Sequence, residues 1–321
     1  MVKTKSILFF FLIVVVFACF CLCCNSKQDK KKLIIFHAGS LSVPMKEIAE
    51  LYEKSHPDTK IILEAAGSRQ CARKITDLDK KCDVMASADY TVIEDLLMPE
   101  YTNWLIYFAS NEMCLAYTNQ SKMSNIINQN NWYDIVLHKN NLFGRSNPNT
   151  DPCGYRTALL FKLAGIYYEK SGLSECLLAK DKKYIRPKEV DLLSLLESNA
   201  IDYIFIYKSV AIQHNLNILE FPEEIDLGNP EFRSYYEKAQ VRITGKKPGD
   251  TIIKTGEPMI YALTIPFNAP NKNAAITFTE FLLNPEKGLE ILSTYGQSPL
   301  IKRKNPYAEN IPIQLKKFVK Q

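Results

Sequence analysis

Two stretches decide the fold of this chain: LIIFHAGS at residues 33–40 and IILEAAGS at residues 61–68. In each, an apolar run typical of a buried strand ends in a Gly-Ser turn, and a helical pattern follows. Glycine lets the backbone approach a ligand closely, and the serine presents a hydroxyl and an N–H at the positive end of the helix. Two such turns in one α/β unit converge at the strand ends. We therefore predict an anion-binding site that includes Ser40 and Ser68.

Outward from these stretches, strands and helices alternate along the chain. Apolar runs predict strands at residues 33–36, 60–64, 82–87, 113–118, 142–144, 203–207 and 258–266. Helical periodicity predicts helices at residues 43–54, 68–78, 155–168, 190–197, 274–283 and 285–295. The fold class is therefore α/β. Because the chain leaves its first α/β unit and returns to it late, we expect two lobes, residues 25–112 plus 267–321 and residues 113–266, with a ligand in the cleft between them.

The N-terminal residues have the order of an export signal. Lys3 and Lys5 precede an apolar stretch at residues 7–18, and a cysteine cluster follows. The stretch is shorter than the roughly 20 residues that a membrane-spanning helix needs. Cys24 and Cys19 are both candidates for lipidation, as in a bacterial lipoprotein; a plain signal peptide and an uncleaved anchor are the alternatives. We predict a lipoprotein signal peptide at residues 1–24 and an extracytoplasmic, lipid-anchored protein.

Charge and cysteine content argue against several kinds of function. The formal net charge of +5 includes the two lysines of the predicted leader, and basic residues elsewhere are interspersed with acids, so a nucleic-acid partner is not expected. No Cys/His pair has zinc spacing, so a structural metal is not expected either.

An odd number of cysteines lies beyond the leader, which leaves at least one thiol free of internal bridges. These are Cys71, Cys82, Cys114, Cys153 and Cys176. Cys71 and Cys82 flank one short helix and are candidates for a bridge, which sequence alone cannot fix.

The segment SNPNTDPCGYR at residues 146–156 carries the most informative polar residues of the second lobe. Taken alone, Asp151 followed by Pro152 is typical of a helix N-cap. Further short motifs occur along the chain, and they are informative when taken together with this segment. In order, they are AGSL at 38–41, GS at 67–68, CDV at 82–84, ADY at 88–90, NEM at 111–113, IDY at 201–203 and YKS at 207–209.

Together these motifs resemble the molybdate/tungstate-binding proteins of ABC importers, and within them the archaeal-type branch, from about Leu33 to Tyr295. The resemblance implies a two-lobed periplasmic-binding-protein fold of the class II type, each lobe a mixed sheet flanked by helices. It implies a binding protein without enzymatic activity and without a cofactor, whose ligand is molybdate or tungstate and whose partner is an ABC permease. We expect a monomer.

The resemblance also implies the ligand-binding residues. Ser40, Ser68 and Tyr207 would donate hydrogen bonds to the oxyanion, and Asp151 and Glu189 would coordinate its metal centre. Each has a plainer alternative: N-caps for the serines and Asp151, a first-turn helix acid for Glu189, and a half-buried strand tyrosine for Tyr207.

Two carboxylates beside a dianion are unfavourable by Coulomb's law, since like charges about 4 Å apart repel by about 4 kcal/mol at an effective dielectric near 20. They make sense as ligands of a hard, oxygen-seeking metal centre, which molybdate and tungstate contain and sulfate does not. The carboxylates would then attract the first two anions and repel sulfate or phosphate.

Two other functions stand beside this one. A receptor for sulfate or phosphate would carry few carboxylates and many donors. An α/β enzyme would use Cys153 or Ser68 as its nucleophile, but neither has a histidine near it in sequence, and no Gly-x-Ser-x-Gly elbow occurs. We expect Arg156, in the helix after Asp151, to brace that loop.

Overall fold

The computed structural model describes residues 30–247 and 249–320 of the chain. The predicted signal peptide at residues 1–24, with its lipidation candidates Cys19 and Cys24, lies outside the described residues. Within the described ranges, no helix combines the length and the apolar character that crossing a membrane requires.

The first lobe is built on a six-stranded mixed sheet. In spatial order its strands are Ser298–Pro299 (β13), Ile106–Ser110 (β4), Ile260–Thr264 (β12), Val84–Ser87 (β3), Lys31–Ala38 (β1) and Thr59–Ala66 (β2). β1 runs parallel to both β2 and β3, while β12 returns antiparallel between β3 and β4. Because Ala38 pairs with Ala66, both Gly-Ser turns leave the sheet at the same edge.

The second lobe is built on a five-stranded mixed sheet. In spatial order its strands are Ile185–Arg186 (β7), Phe143–Ser146 (β6), Tyr203–Tyr207 (β8), Met113–Tyr117 (β5) and Asn217–Glu220 (β9). A separate antiparallel hairpin follows, made of Gln240–Thr244 (β10) and Thr251–Thr255 (β11). Two mixed sheets, one to each lobe, confirm the predicted architecture.

Helices flank both sheets. In chain order they are Ser42–Ser55 (α1), Ser68–Thr76 (α2), Tyr90–Val92 (α3), Trp132–Leu137 (α4), Pro152–Tyr167 (α5), Leu173–Ala179 (α6), Leu193–Glu197 (α7), Lys208–Gln213 (α8), Arg233–Tyr236 (α9), Lys272–Leu282 (α10) and Gly288–Thr294 (α11). A π-helical turn, Ile93–Leu97, continues α3. Short 3₁₀ turns lie at Gly39–Leu41, Lys182–Tyr184, Glu189–Leu192, Pro230–Phe232, Ala308–Asn310 and Ile313–Phe318.

Burial explains why the predicted segments fold where they do. Along α1, Met45, Ile48, Ala49 and Tyr52 are spaced at helical intervals, and all four are buried. β8 is buried on both faces, as its unbroken apolar run indicates.

The five cysteines within the described residues are free thiols, so Cys71 and Cys82 do not form a bridge.

One predicted boundary differs from the structure. The second lobe is predicted to end at residue 266, but β12, which lies within the predicted returning strand at residues 258–266, is already part of the first sheet. The chain therefore crosses back to the first lobe before Ile260. The physical reason is that β12 pairs with β3 and β4 on either side, which satisfies its backbone, and that residues 261–264 are buried there. The other crossing lies at Asn111 and Glu112, between β4 and β5.

Candidate oxyanion site

The two Gly-Ser turns of the first lobe face the second lobe's acidic residues. A Cβ atom on Gly39 would lie 3.1 Å from Glu189 Oε1, and one on Gly67 would lie 2.4 Å from the carbonyl oxygen of Thr150 and 3.0 Å from Asp151 Cβ. The backbone N–H of Gln70 also donates to the Thr150 carbonyl oxygen, at 3.2 Å. Glycine is therefore required at residue 67, where a Cβ would clash with the backbone of the second lobe, while a Cβ at residue 39 would crowd the Glu189 carboxylate.

Ser40 and Ser68 lie in these turns with no solvent exposure. The Ser68 hydroxyl accepts a hydrogen bond of 2.9 Å from the backbone N–H of Ala88. The Ser40 hydroxyl lies 2.9 Å from the Tyr261 hydroxyl. Neither serine side chain caps its helix, so the N-cap alternative is wrong for both.

Asp151 and Glu189 are directly linked. Asp151 Oδ1 accepts from the backbone N–H of Cys153, at 3.3 Å, which caps α5. Asp151 Oδ2 accepts from the backbone N–H of Glu189, at 2.8 Å, although 37 residues separate the two in sequence. The carboxylate of Asp151 is therefore an N-cap, as the plainer alternative predicted, and it also positions Glu189. The 3₁₀ turn at Glu189–Leu192 places Glu189 in a first turn as well.

Several buried polar atoms around this pair have no hydrogen-bond partner within the described part of the chain. They are Glu189 Oε1 and Oε2, Tyr207 Oη, Ser146 Oγ and Arg156 Nε. The rings of Tyr207 and Tyr261 lie edge to face across the lobes, with centroids 6.2 Å apart. Because burying a polar group without a partner costs free energy, donors and acceptors grouped in this way are typical of a ligand site.

Burial and proximity perturb both acids. Burial raises the pKa of Glu189 well above its usual value, and the neighbouring Asp151 raises it further. Burial also raises the pKa of Asp151, against the hydrogen bonds that it accepts. Two carboxyl groups in such surroundings cannot both ionise without a compensating positive centre. The two carboxyl groups are therefore suited to binding a species whose central atom is positively charged.

Arg156 joins the lobes, which differs from the predicted role of bracing its own loop. Its Nη2 atom lies 2.9 Å from Oδ2 of Asp89, and both side chains are 2% exposed. Asp89 follows β3 in the first lobe, where its Oδ1 accepts from the backbone N–H of Thr91 at 2.9 Å. Tyr155 also donates its hydroxyl to Asp89. The sequence signal for Asp89 was its place after β3, at the same sheet edge as the two Gly-Ser turns.

Cys153 does not have the surroundings of a nucleophile. It is fully buried, and burial raises the pKa of its thiol well above the usual value, an effect that Asp151 and Glu189 increase. A thiol in such surroundings stays protonated and unreactive.

Residues 33–297 match the family described as bacterial extracellular solute-binding protein. The chain belongs to this family. A solute-binding protein of Petrotoga mobilis whose function is uncharacterized is 47% identical over 290 residues, which cover 90% of each chain. The molybdate/tungstate-binding protein WtpA of Pyrococcus abyssi is 40% identical over 316 residues, again with 90% of each chain covered.

Among solved structures, the periplasmic molybdate-binding protein of Azotobacter vinelandii superposes with a TM-score of 0.58 at 18% identity. The match covers 83% of this chain and 98% of that one. At this identity the likeness shows the fold alone, and it confirms the periplasmic-binding-protein architecture. As a member of its family, the chain is a solute-binding protein of ABC transport and not an enzyme.

Proposed function

We propose that this solute-binding protein captures molybdate or tungstate outside the cytoplasm and delivers it to an ABC permease. The observation that carries the proposal is the buried pair Asp151 and Glu189, which faces the two Gly-Ser turns across the cleft. Asp151 and Glu189 would coordinate the metal centre of the oxyanion, and Ser40, Ser68 and Tyr207 would donate to its oxygens. The 40% identity to WtpA of Pyrococcus abyssi supports the same ligand class.

Sulfate or phosphate is the second candidate ligand. The Arg156 guanidinium and the serine hydroxyls suit any tetrahedral oxyanion, and Arg156 Nε lacks a partner within the described residues. The two carboxylates support molybdate or tungstate over sulfate or phosphate. They would repel a dianion whose central atom cannot expand its coordination, and they would bind one whose centre can. We propose that the protein acts as a lipid-anchored monomer, held to the membrane through Cys19 or Cys24.

Isothermal titration of the purified protein with tungstate, molybdate, sulfate and phosphate tests the proposal. We expect tight one-to-one binding of tungstate and molybdate only. Sulfate or phosphate binding at similar strength would contradict metal coordination by the carboxylates, and binding of none of the four would contradict an oxyanion function altogether.

Glu189→Gln then isolates the coordinating carboxylate, because it keeps the side-chain shape and removes the charge. We expect tungstate to bind about 10- to 100-fold more weakly, the range for losing one charged interaction, while sulfate gains affinity relative to tungstate. Asp191→Asn is the matched control, since Asp191 lies two residues away and its side chain is 33% exposed. Equal losses for tungstate and sulfate in Glu189→Gln would show that Glu189 is structural.

A further inference from the structure

A buried chain of hydrogen bonds runs from the crossing between the lobes to Ser40. Asn111, at that crossing, donates from Nδ2 to the Tyr261 hydroxyl at 3.0 Å and to the Ser209 hydroxyl at 2.7 Å. The Tyr261 hydroxyl lies 2.9 Å from Ser40 Oγ. Asn111, Ser209, Tyr261 and Ser40 are all buried, and they come from both lobes and the crossing.

Backbone groups fix the orientation of the Asn111 amide. Its Oδ1 accepts from the N–H of Glu112 at 3.0 Å and from the N–H of Ser209 at 3.3 Å. A backbone N–H can only donate, so the oxygen must face these two groups and the NH₂ must face the hydroxyls. The side chain of Asn111 thereby makes four hydrogen bonds, which is its full capacity.

The amide in turn fixes the direction of the next bond. Because Asn111 offers only N–H groups to Tyr261, the Tyr261 hydroxyl oxygen accepts that hydrogen bond. Within the described residues, the acceptor for the Tyr261 hydroxyl hydrogen is Ser40 Oγ. Burial raises the pKa of Tyr261, so the phenol stays protonated and remains a donor. Ser40 Oγ then accepts from Tyr261, and its own hydrogen remains free to point into the cleft.

We infer that Asn111 and Tyr261 are positioning residues that orient the Ser40 hydroxyl as a hydrogen-bond donor toward the bound oxyanion. This inference rests on the proposed function. Without the direction imposed by Asn111, Ser40 could donate to Tyr261 instead and would present a lone pair to the anion. The same network contains the Ser209 hydroxyl of the second lobe, so the orientation of Ser40 depends on the crossing between the lobes.

A double-mutant cycle on tungstate affinity tests the inference, with Ser40→Ala, Tyr261→Phe and the double variant measured by isothermal titration. We expect Tyr261→Phe to weaken binding about 3- to 10-fold when Ser40 is present, which is the range for one hydrogen bond. In the Ser40→Ala background the same substitution should change affinity less than twofold, because no hydroxyl remains to be oriented. Asn111→Ala should follow the same pattern and should add no loss to Tyr261→Phe.

Tyr203→Phe is the matched control. Tyr203 is equally buried, and its hydroxyl donates to the backbone carbonyl of Lys122, away from the cleft. We expect it to lower the melting temperature as Tyr261→Phe does, without changing affinity. Equal losses from Tyr261→Phe in both Ser40 backgrounds would overturn the inference while leaving the proposed function intact. Failure of the unsubstituted protein to bind any of the four oxyanions would overturn the proposed function, and this inference with it.

Discussion

Single carboxyl groups hold this structure together at places where the backbone would otherwise lack partners. Asp151 shows the principle, since one of its oxygens caps α5 and the other accepts from the backbone of Glu189. A carboxylate has about four lone-pair directions, so two remain after these bonds. The structural and ligand-binding interpretations of Asp151 are therefore compatible, and the capping bonds orient the group for any ligand that uses the remaining directions.

Asp226 is a second buried carboxyl, at the junction between the lobes. Its backbone carbonyl accepts from the N–H of Met113, where β5 begins, and the carbonyl of Leu227 accepts from the N–H of Met259, just before β12. Burial raises the pKa of Asp226 to about 7, and the nearby Glu112 and Glu223 add to the shift. The folded protein therefore binds the Asp226 proton more tightly than the unfolded chain does.

We predict that Asp226→Asn stabilises the protein in alkaline but not in acidic solution. Because the folded pKa is raised, unfolding releases the proton, and the wild-type free energy of unfolding falls as pH rises from about 4 to about 7. Asparagine cannot ionise, and its oxygen can still accept from Gly228 N, as Asp226 Oδ1 does at 2.6 Å. We expect a gain of about 1–3 kcal/mol at pH 8 and little change at pH 4.

Urea denaturation of both proteins across this pH range measures the difference. The exposed Asp58 supplies the control, since Asp58→Asn removes one carboxyl group without changing a buried site. A stability difference between Asp226→Asn and the wild type that is the same at pH 4 and pH 8 would contradict the assignment of this ionisation to Asp226.

At the scale of elements, α5 determines where Asp151 lies. The helix begins at Pro152 with Asp151 as its cap, and Gly154 in its first turn packs directly against the preceding loop. A Cβ atom on Gly154 would lie 2.5 Å from both Asn147 C and Pro148 N, which is too close for atoms that are not bonded to each other. The first turn of α5 and the loop at residues 147–151 therefore fit together only with glycine at this position.

We predict that Gly154→Ala displaces the loop, and that it lowers both the melting temperature and the affinity for tungstate. Overpacking of this kind costs about 1–3 kcal/mol. Gly165→Ala in the same helix is the matched control, because its Cβ would meet nothing closer than 3.5 Å. There alanine should raise stability by about 0.5–1 kcal/mol and leave affinity unchanged. Differential scanning calorimetry and titration would show the contrast, and similar behaviour of the two variants would contradict it.

Long periodic elements were the ones that sequence predicted well. The strands at residues 31–38 and 59–66 and the helix at residues 42–55 were placed to within a few residues, because their apolar patterns match what they bury. Strands whose pairing partners are distant in the chain were missed, including β4 and β9. The β10–β11 hairpin was also missed, although its strands pair with each other. The strand that became β12 was predicted at residues 258–266, but the lobe boundary was set after it, since its neighbours β3 and β4 are remote in the chain. In the site, the contact between Asp89 and Arg156 was missed for the same reason.

At the scale of the whole molecule, the two lobes contact each other directly through charged and polar groups. Beside the pair of Asp89 and Arg156, the Arg73 guanidinium of the first lobe donates to the carbonyl of Gly245 in the hairpin, at 2.7 Å. Lys254 of the hairpin lies 2.6 Å from Asp95. The hairpin is tied to the second lobe in turn, since the N–H of Thr244 donates to Asn149 at 2.9 Å. The closed arrangement of the cleft is thus stabilised by contacts within the chain itself.

We predict that Asp89→Asn weakens tungstate binding by shifting the protein toward an open form. Arg156 is buried when the lobes meet, and removing the charge of Asp89 leaves the guanidinium without its counter-ion there. In an open form water would solvate Arg156, so the penalty falls on the closed form and is on the order of 3 kcal/mol, or about 100-fold in affinity. Asparagine can still accept from Thr91, which preserves the cap on α3.

Titration together with small-angle X-ray scattering separates this effect from simple destabilisation. The Asp89→Asn protein should have a larger radius of gyration without ligand and should return to the wild-type value at saturating tungstate. Glu280→Gln is the control, because it breaks an ion pair with Lys317 that lies at the surface of the first lobe, with the Lys317 side chain 62% exposed. An Asp89→Asn protein that binds tungstate as tightly as the wild type would show that the ligand, and not the ion pair, determines closure.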